Sequence, residues 1–238
     1  IRDPCGSRGL GDVYKRQPYV GATATSLILI PGIAVGVNLL MTLRGHQAHI
    51  VASPSLRFTI AGIVGFLLLG FTGMALNTPA TLKMTQFALT GYGFEVLAVC
   101  GFFSMCAFGG MYFIVPRITR REWLSRRFIG WHFWLTTYGI LTVVVCSIMG
   151  GLFQGAAQEA YGSSWSDAAS RSYAYNVGTT VAWGLIALGS FFFLVHLLLM
   201  WARLGKRSQH PTLLDGGHHE ESPHGPDHEV EELQTAEA

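Results

Sequence analysis

Five apolar stretches, residues 19–43, 58–76, 87–115, 128–153 and 174–201, contain a single formally charged residue, Glu95. A helix needs roughly 20 residues to cross about 30 Å of hydrocarbon, so each stretch is long enough to span a membrane. Inside a bilayer every backbone N–H and C=O must find a partner within the protein, which only helices or closed barrels allow. The stretches have no period-two alternation, and this excludes a barrel. Charged residues make up 13% of the chain, against about 25% in soluble domains. The expected fold class is therefore all-α, a polytopic transmembrane bundle of five helices.

The charges between the stretches orient the bundle. One side carries Arg44, Arg57, the five arginines Arg117, Arg120, Arg121, Arg126 and Arg127, and then Arg203, Lys206 and Arg207. The other side carries only Lys83 and Arg171. Basic loops stay in the cytoplasm, so the arginine-rich side is expected there and the first span enters from outside. Trp123, Trp131 and Trp201 near the cytoplasmic ends, with Trp165, Tyr173 and Tyr175 near the outer ends, suit interfacial aromatic belts. Pro31 and Gly32 are expected to kink the first span. Gly151 and Gly155 have the small-xxx-small spacing that lets helices approach closely in lipid.

Both ends differ in character from the middle. Residues 1–17 begin with Ile and resemble translated linker or adapter sequence, so they are left out of the fold expectation. Residues 18–207 are expected to hold the transmembrane region. Residues 208–238 are polar and rich in acids, with His210, His218, His219, His224 and His228. Such a composition buries too little apolar surface to fold alone, and a disordered cytoplasmic tail is expected. Cys100, Cys106 and Cys146 lie inside apolar stretches without CxxC spacing and read as small, inert packing residues.

Four short motifs carry a family resemblance: NLLMTLRG at 38–45, GGMYFIVPR at 109–117, WHFWLTTYG at 131–139 and GGLFQG at 150–155. They resemble the last five helices of haem-copper oxidase subunit I. The nearest type is the cbb-type (C-family) cytochrome c oxidase, followed by nitric oxide reductase. The resemblance implies the C-terminal part of a twelve-helix subunit in the bacterial inner membrane, with the tail cytoplasmic. It implies haem b and copper as the family's cofactors, oxygen reduction with electrons from cytochrome c, and proton pumping. The implied partners are other oxidase subunits, c-type cytochrome subunits among them, and the lipid bilayer; nothing points to nucleic acid.

The family's tenth helix carries a His-x-His pair, because haem iron takes neutral imidazole as an axial ligand. Counting back from Pro116 without gaps puts that pair at Phe94 and Val96; a shift of three residues puts it at Gly91 and Gly93. Neither register offers a histidine. The remaining ligands of the family lie in earlier helices, upstream of Pro18. The expectation is that this chain binds no haem or copper itself and is inactive alone, whether its parent is catalytic or a non-catalytic scaffold.

Three residues in the spans remain as candidates. His132, near the cytoplasmic end of the fourth span, is expected to be a hydrogen-bonded packing residue, with contact to a cofactor as the alternative. His196, one turn from the end of the fifth, is expected to pack or to lie at the interface. Glu95 stands where the family places its iron ligands. A carboxyl in lipid faces a protein interior or water, and burial favours its protonated form. A proton relay and a neutral, hydrogen-bonded acid are the two readings of it.

Overall fold

A computed structural model of the chain describes residues 7–44, 53–160 and 164–207. The expected tail at 208–238, the first part of the expected leader and Cys5 lie outside the described residues. Among the described residues the chain is mostly helical and has no strand, with one isolated antiparallel bridge between Arg121 and Arg207. Five helices are long and apolar enough to cross a membrane: Arg16–Leu43, Pro54–Leu76, Thr90–Thr119, Arg126–Glu159 and Trp165–Trp201. These coincide with the five apolar stretches of the sequence. The fourth and fifth extend well beyond them, into amphipathic ends that lipid-length reasoning leaves out.

The first span is two helices, α1 (Ser7–Leu27) and α2 (Leu29–Leu43). The chain breaks at Ile28, whose amide bonds back to Thr25 at 3.2 Å. Pro31 causes this at a distance. It sits in the first turn of α2, where its missing N–H goes unused, so the bend expected at Pro31 falls about one turn upstream. Helix α1 already begins at Ser7, ahead of the expected start near Pro18.

Helix α3 (Pro54–Leu76) starts with Ser53 as N-cap, whose hydroxyl accepts the Leu56 amide, and Pro54 in the first turn. A short helix, α4 (Pro79–Thr85), repeats that start with Thr78 and Pro79. The third span is not uniform. It runs as α5 (Thr90–Val96), a π-helical segment Leu97–Ser104, then α6 (Met105–Thr119). Helix α7 (Arg126–Glu159) and helix α8 (Trp165–Trp201) complete the bundle. A reciprocal capping box between Ser164 and Asp167 opens α8.

Glycines set the close approaches. A Cβ on Gly151 would overlap the Thr90 amide nitrogen, and one on Gly155 the Met84 carbonyl oxygen. The C-terminal end of α7 thus rests directly on the backbone where α4 ends and α5 begins. Gln154 adds to this contact by accepting the Leu89 amide at 3.2 Å. Along the α7–α8 seam, Gly139 faces Ile186 and the Ala182 carbonyl, and Gly189 faces Thr136. The expected small-residue packing is what these glycines do. The buried core, with Phe58, Met105, Tyr112, Phe133, Val143 and Phe193 among its members, joins α3, α6, α7 and α8.

The basic loop between α6 and α7 is folded. Arg120 ends α6 in the left-handed conformation, with φ 51°. The Arg121 guanidinium donates to the carbonyls of Arg203 and, at 2.7 Å, of Gly205. The Glu122 amide donates to the Lys206 carbonyl at 3.0 Å. The loop is therefore zipped to the chain that leaves α8, and both elements place their arginines at one end of the bundle.

Candidate functional site

A buried polar cluster that joins three spans lies at this arginine-rich end, built from Tyr112, Trp123, Ser125, His132 and His196. Its geometry begins with Pro116 inside α6. A proline has no N–H for the carbonyl four residues earlier, here that of Tyr112. The Trp123 indole N–H fills the gap, donating to the Tyr112 carbonyl at 3.2 Å. Trp123 is thereby drawn from the loop onto α6, half-buried, with its ring 5.0 Å from that of Tyr112.

Tyr112 is fully buried, and its hydroxyl shares a hydrogen bond of 2.8 Å with His132 Nδ1. Aromatic rings wall the imidazole in. Phe108 stands edge-on at 4.5 Å, Phe58 at 4.9 Å and Phe193 at 5.0 Å, centroid to centroid. His196, also fully buried, lies one turn beyond Phe193 on α8. Its Nε2 accepts the Ser125 amide at 3.3 Å, and Trp123 packs on its ring at 4.8 Å. Among the described residues, His132 Nε2 and His196 Nδ1 are both buried and have no hydrogen-bond partner.

The candidates read from the sequence therefore part company. His132 is brought together with His196, by way of Trp123 and Phe193, as hydrogen-bonded and packed residues. His196 is buried rather than interfacial. Glu95 is not buried among the five spans. It is exposed on the outward side of α5, and Val99 and Phe103 on the same span are 58% and 67% exposed. Tyr92, three residues before it on that helix, accepts a 2.7 Å hydrogen bond from the Trp183 indole. Burial was expected from composition alone; the structure turns that side of the third span away from its four partners.

Tyr112 and Ser125 were not among the residues singled out from the sequence, and Trp123 was read as a belt residue. One local signal was available: Pro116 leaves the carbonyl of Tyr112 needing a donor. Nothing local marks the pairing of Tyr112 with His132 across two helices. Among the described residues no group of three or more His, Cys, Asp or Glu gathers as a metal site. The cysteines Cys100, Cys106 and Cys146 are free and half-buried.

The π-helical segment bears on the counting of ligand positions. A π turn takes up one residue more than an α turn. Counting from Pro116 across Leu97–Ser104 with one extra residue lands on Gly93 and Glu95 instead of Phe94 and Val96. No histidine is met in that register either.

The model of the family described as "Cytochrome C and Quinol oxidase polypeptide I" matches residues 16–192. Relatives include "Cytochrome c oxidase subunit 1 homolog" of Azorhizobium caulinodans, 25% identical over 60% of this chain and 26% of its own length. "Cytochrome c oxidase subunit 1 homolog, bacteroid" of Bradyrhizobium diazoefficiens is 23% identical over 79% of this chain and 35% of its own length. "Cbb3-type cytochrome c oxidase subunit CcoN1" of Stutzerimonas stutzeri is 25% identical over 57% of this chain and 29% of its own length. The chain thus spans about a quarter to a third of the length of these relatives. The matched region takes in the first four spans and the fifth as far as residue 192, together with Tyr112, Trp123, Ser125 and His132 of the cluster. This chain belongs to the cytochrome c and quinol oxidase polypeptide I family, as a multi-pass membrane protein.

Proposed function

We propose that these five spans are the C-terminal scaffold of a subunit I-type protein in an aerobic respiratory complex, and that they hold no haem or copper with their own residues. In such a complex electrons from cytochrome c would reduce oxygen to water, with c-type cytochrome subunits as partners. The protein would sit in the bacterial inner membrane with its arginine-rich end in the cytoplasm.

The observation that carries the scaffold reading is the packing of the two span histidines. An axial ligand must aim a free imidazole nitrogen at an iron held in an open slot between helices. His132 instead uses Nδ1 on Tyr112 and buries Nε2 behind Phe58, Phe108 and Phe193. His196 uses Nε2 on the Ser125 amide and is covered by Trp123. On the third span the counted positions are Gly, Phe, Val or Glu. The residues present do not fit a haem, and no redox step is assigned to them.

The protein purified from its native membrane with its partner subunits tests both halves. Co-purification of a c-type cytochrome with oxygen uptake supports the oxidase complex, and its absence removes that half. Replacing His132 or His196 by Phe should leave the haem b absorbance of the complex per protein unchanged. Loss of one haem equivalent in either variant, with the complex still assembled, overturns the scaffold reading.

Glu95 we propose as a proton-relay residue of the assembled protein, since its side of the third span is left open to further chain or partner. Glu95→Gln should slow proton uptake by the complex; an unchanged rate removes that role.

A further inference from the structure

A groove runs between α3 and α7 along the third span. Helix α3 packs on that span so closely that a Cβ on Gly65 would overlap the Gly101 carbonyl, yet a cavity of about 460 Å³ stays open between α3 and α7. Leu97, Gly101 and Met105 form its floor. Each lies two residues from one of the exposed Glu95, Val99 and Phe103, and residues two apart on a helix point to nearly opposite sides. The groove therefore faces away from the side of the third span that carries Glu95. Ala61 and Leu68 on α3 form one wall, and Thr137 and Leu141 on α7 the other. Leu68 and Leu141 are half-exposed, so the groove opens sideways to where hydrocarbon lies in a membrane. From Ala61 to Thr72 it follows α3 for roughly 16 Å at 1.5 Å per residue. That is about half of a 30 Å hydrocarbon core, the depth of one leaflet, whereas a further membrane helix spans the whole core. The far end closes where the Phe94 ring lies against Gly73.

The near end is cationic. Arg57 stands one turn before Ala61 on α3, and its guanidinium lies over Phe133 of α7, 5.7 Å from the ring centroid. Phe133 is one turn before Thr137, so the Arg57 side chain reaches from one wall of the groove to the other. Its Nε is buried and has no hydrogen-bond partner among the described residues. A buried cationic donor without an acceptor is costly. The neighbouring charge that acts on Arg57 is a second cation, Arg126, at the start of α7. The N-termini of α3 and α7 both open at this end and add their partial positive charge. Residues 45–52, which lead into α3, contain no Asp or Glu.

An apolar slot one leaflet deep with a cationic mouth fits one kind of amphiphile. We propose that the groove holds an anionic phospholipid from the leaflet at the arginine-rich end, with one acyl chain along residues 61–72 of α3 and its phosphate on Arg57 and Arg126. The phosphate gives Arg57 Nε the acceptor it lacks, and the planar guanidinium matches two phosphate oxygens. A zwitterionic lipid brings an ammonium group into the same cationic field and is disfavoured. The assignment does not depend on whether the parent protein is an active oxidase.

The full chain with its partner subunits tests this in phosphatidylcholine vesicles. One set carries a trace of phosphatidylglycerol with a diazirine acyl chain, and a parallel set carries the same chain on phosphatidylcholine. After illumination, peptide mass spectrometry should find the glycerol probe on the groove walls, around Leu68 and Leu141, roughly fivefold or more above the choline probe. Arg57→Gln should cut that excess roughly fivefold, and Arg57→Lys should keep most of it. Arg117→Gln, which removes the guanidinium lying over Phe113 on α6, should leave it unchanged. Equal labelling by the two probes in the unmodified protein overturns the proposal, as does an excess that survives Arg57→Gln. A groove labelled by neither probe is covered by polypeptide, which also overturns it. If Arg57→Gln does not fold, the ratio of the two probes in the unmodified protein still decides the matter.

Discussion

Pro116, Tyr112 and Trp123 form one unit at the level of single residues. The proline removes the amide that would have bonded the Tyr112 carbonyl, and the indole supplies the missing donor. Trp123→Phe should therefore lower stability by about 1–3 kcal/mol, the cost of a buried carbonyl left unpaired. In a Pro116→Ala background the backbone amide returns and the same change should cost much less. A double-mutant cycle on unfolding in detergent checks this, and equal costs in both backgrounds would sink the account. Arg120 offers a second test. Its φ of 51° is a conformation in which glycine has no Cβ penalty. Arg120→Gly should leave stability unchanged or raise it by up to about 1 kcal/mol, read from the same unfolding curves. A loss instead would mean that the guanidinium matters more than the backbone.

Among the elements, α7 depends most on small side chains. Gly155 has the Met84 carbonyl where its Cβ would be, whereas Gly184 on α8 has open space. Gly155→Leu should destabilise by about 1–3 kcal/mol, the usual range for overpacking, or displace α4. Gly184→Leu should be tolerated. Thermal unfolding of the two variants separates them, and equal tolerance would show that α7 can draw away from the α4–α5 backbone. The third span makes a different point. Its apolar run reads as one helix from 87 to 115, but it contains a π segment, Leu97–Ser104. No side-chain pattern marks that change, because hydrophobic composition is the same for α and π turns. Pro31 was legible as a disturbance of the first span, although the break falls at Ile28. A proline disrupts the hydrogen bond to the residue four before it, not its own.

For the whole molecule, topology is the property most open to test. The loop arginines and the chain after α8 lie at one end of the bundle, tied by Arg121. By the positive-inside rule that end is expected to face the cytoplasm. With native cysteines replaced by serine, a cysteine at Leu204, 62% exposed, should react with a membrane-impermeant maleimide only in inverted vesicles. A cysteine at Trp165, 71% exposed, should react only in right-side-out vesicles. The reverse pattern would invert the molecule.

The number of spans, their approximate ends and the charge asymmetry were all present in the sequence. Each is set by a local cause: transfer of apolar side chains into hydrocarbon, and the cost of moving arginine across it. The family likeness around Pro116 and Trp131 was also readable, because it lies in contiguous residues. What only the tertiary structure decided is which polar groups meet. Tyr112 and His132 stand on different helices, and His196 comes from a third. Their pairing follows from how α6, α7 and α8 pack, with Gly139 and Gly189 letting the last two come close. The side of α5 that carries Glu95 turns outward for the same reason. Which face of an apolar helix is buried depends on its neighbours, and a uniformly apolar helix leaves that choice open.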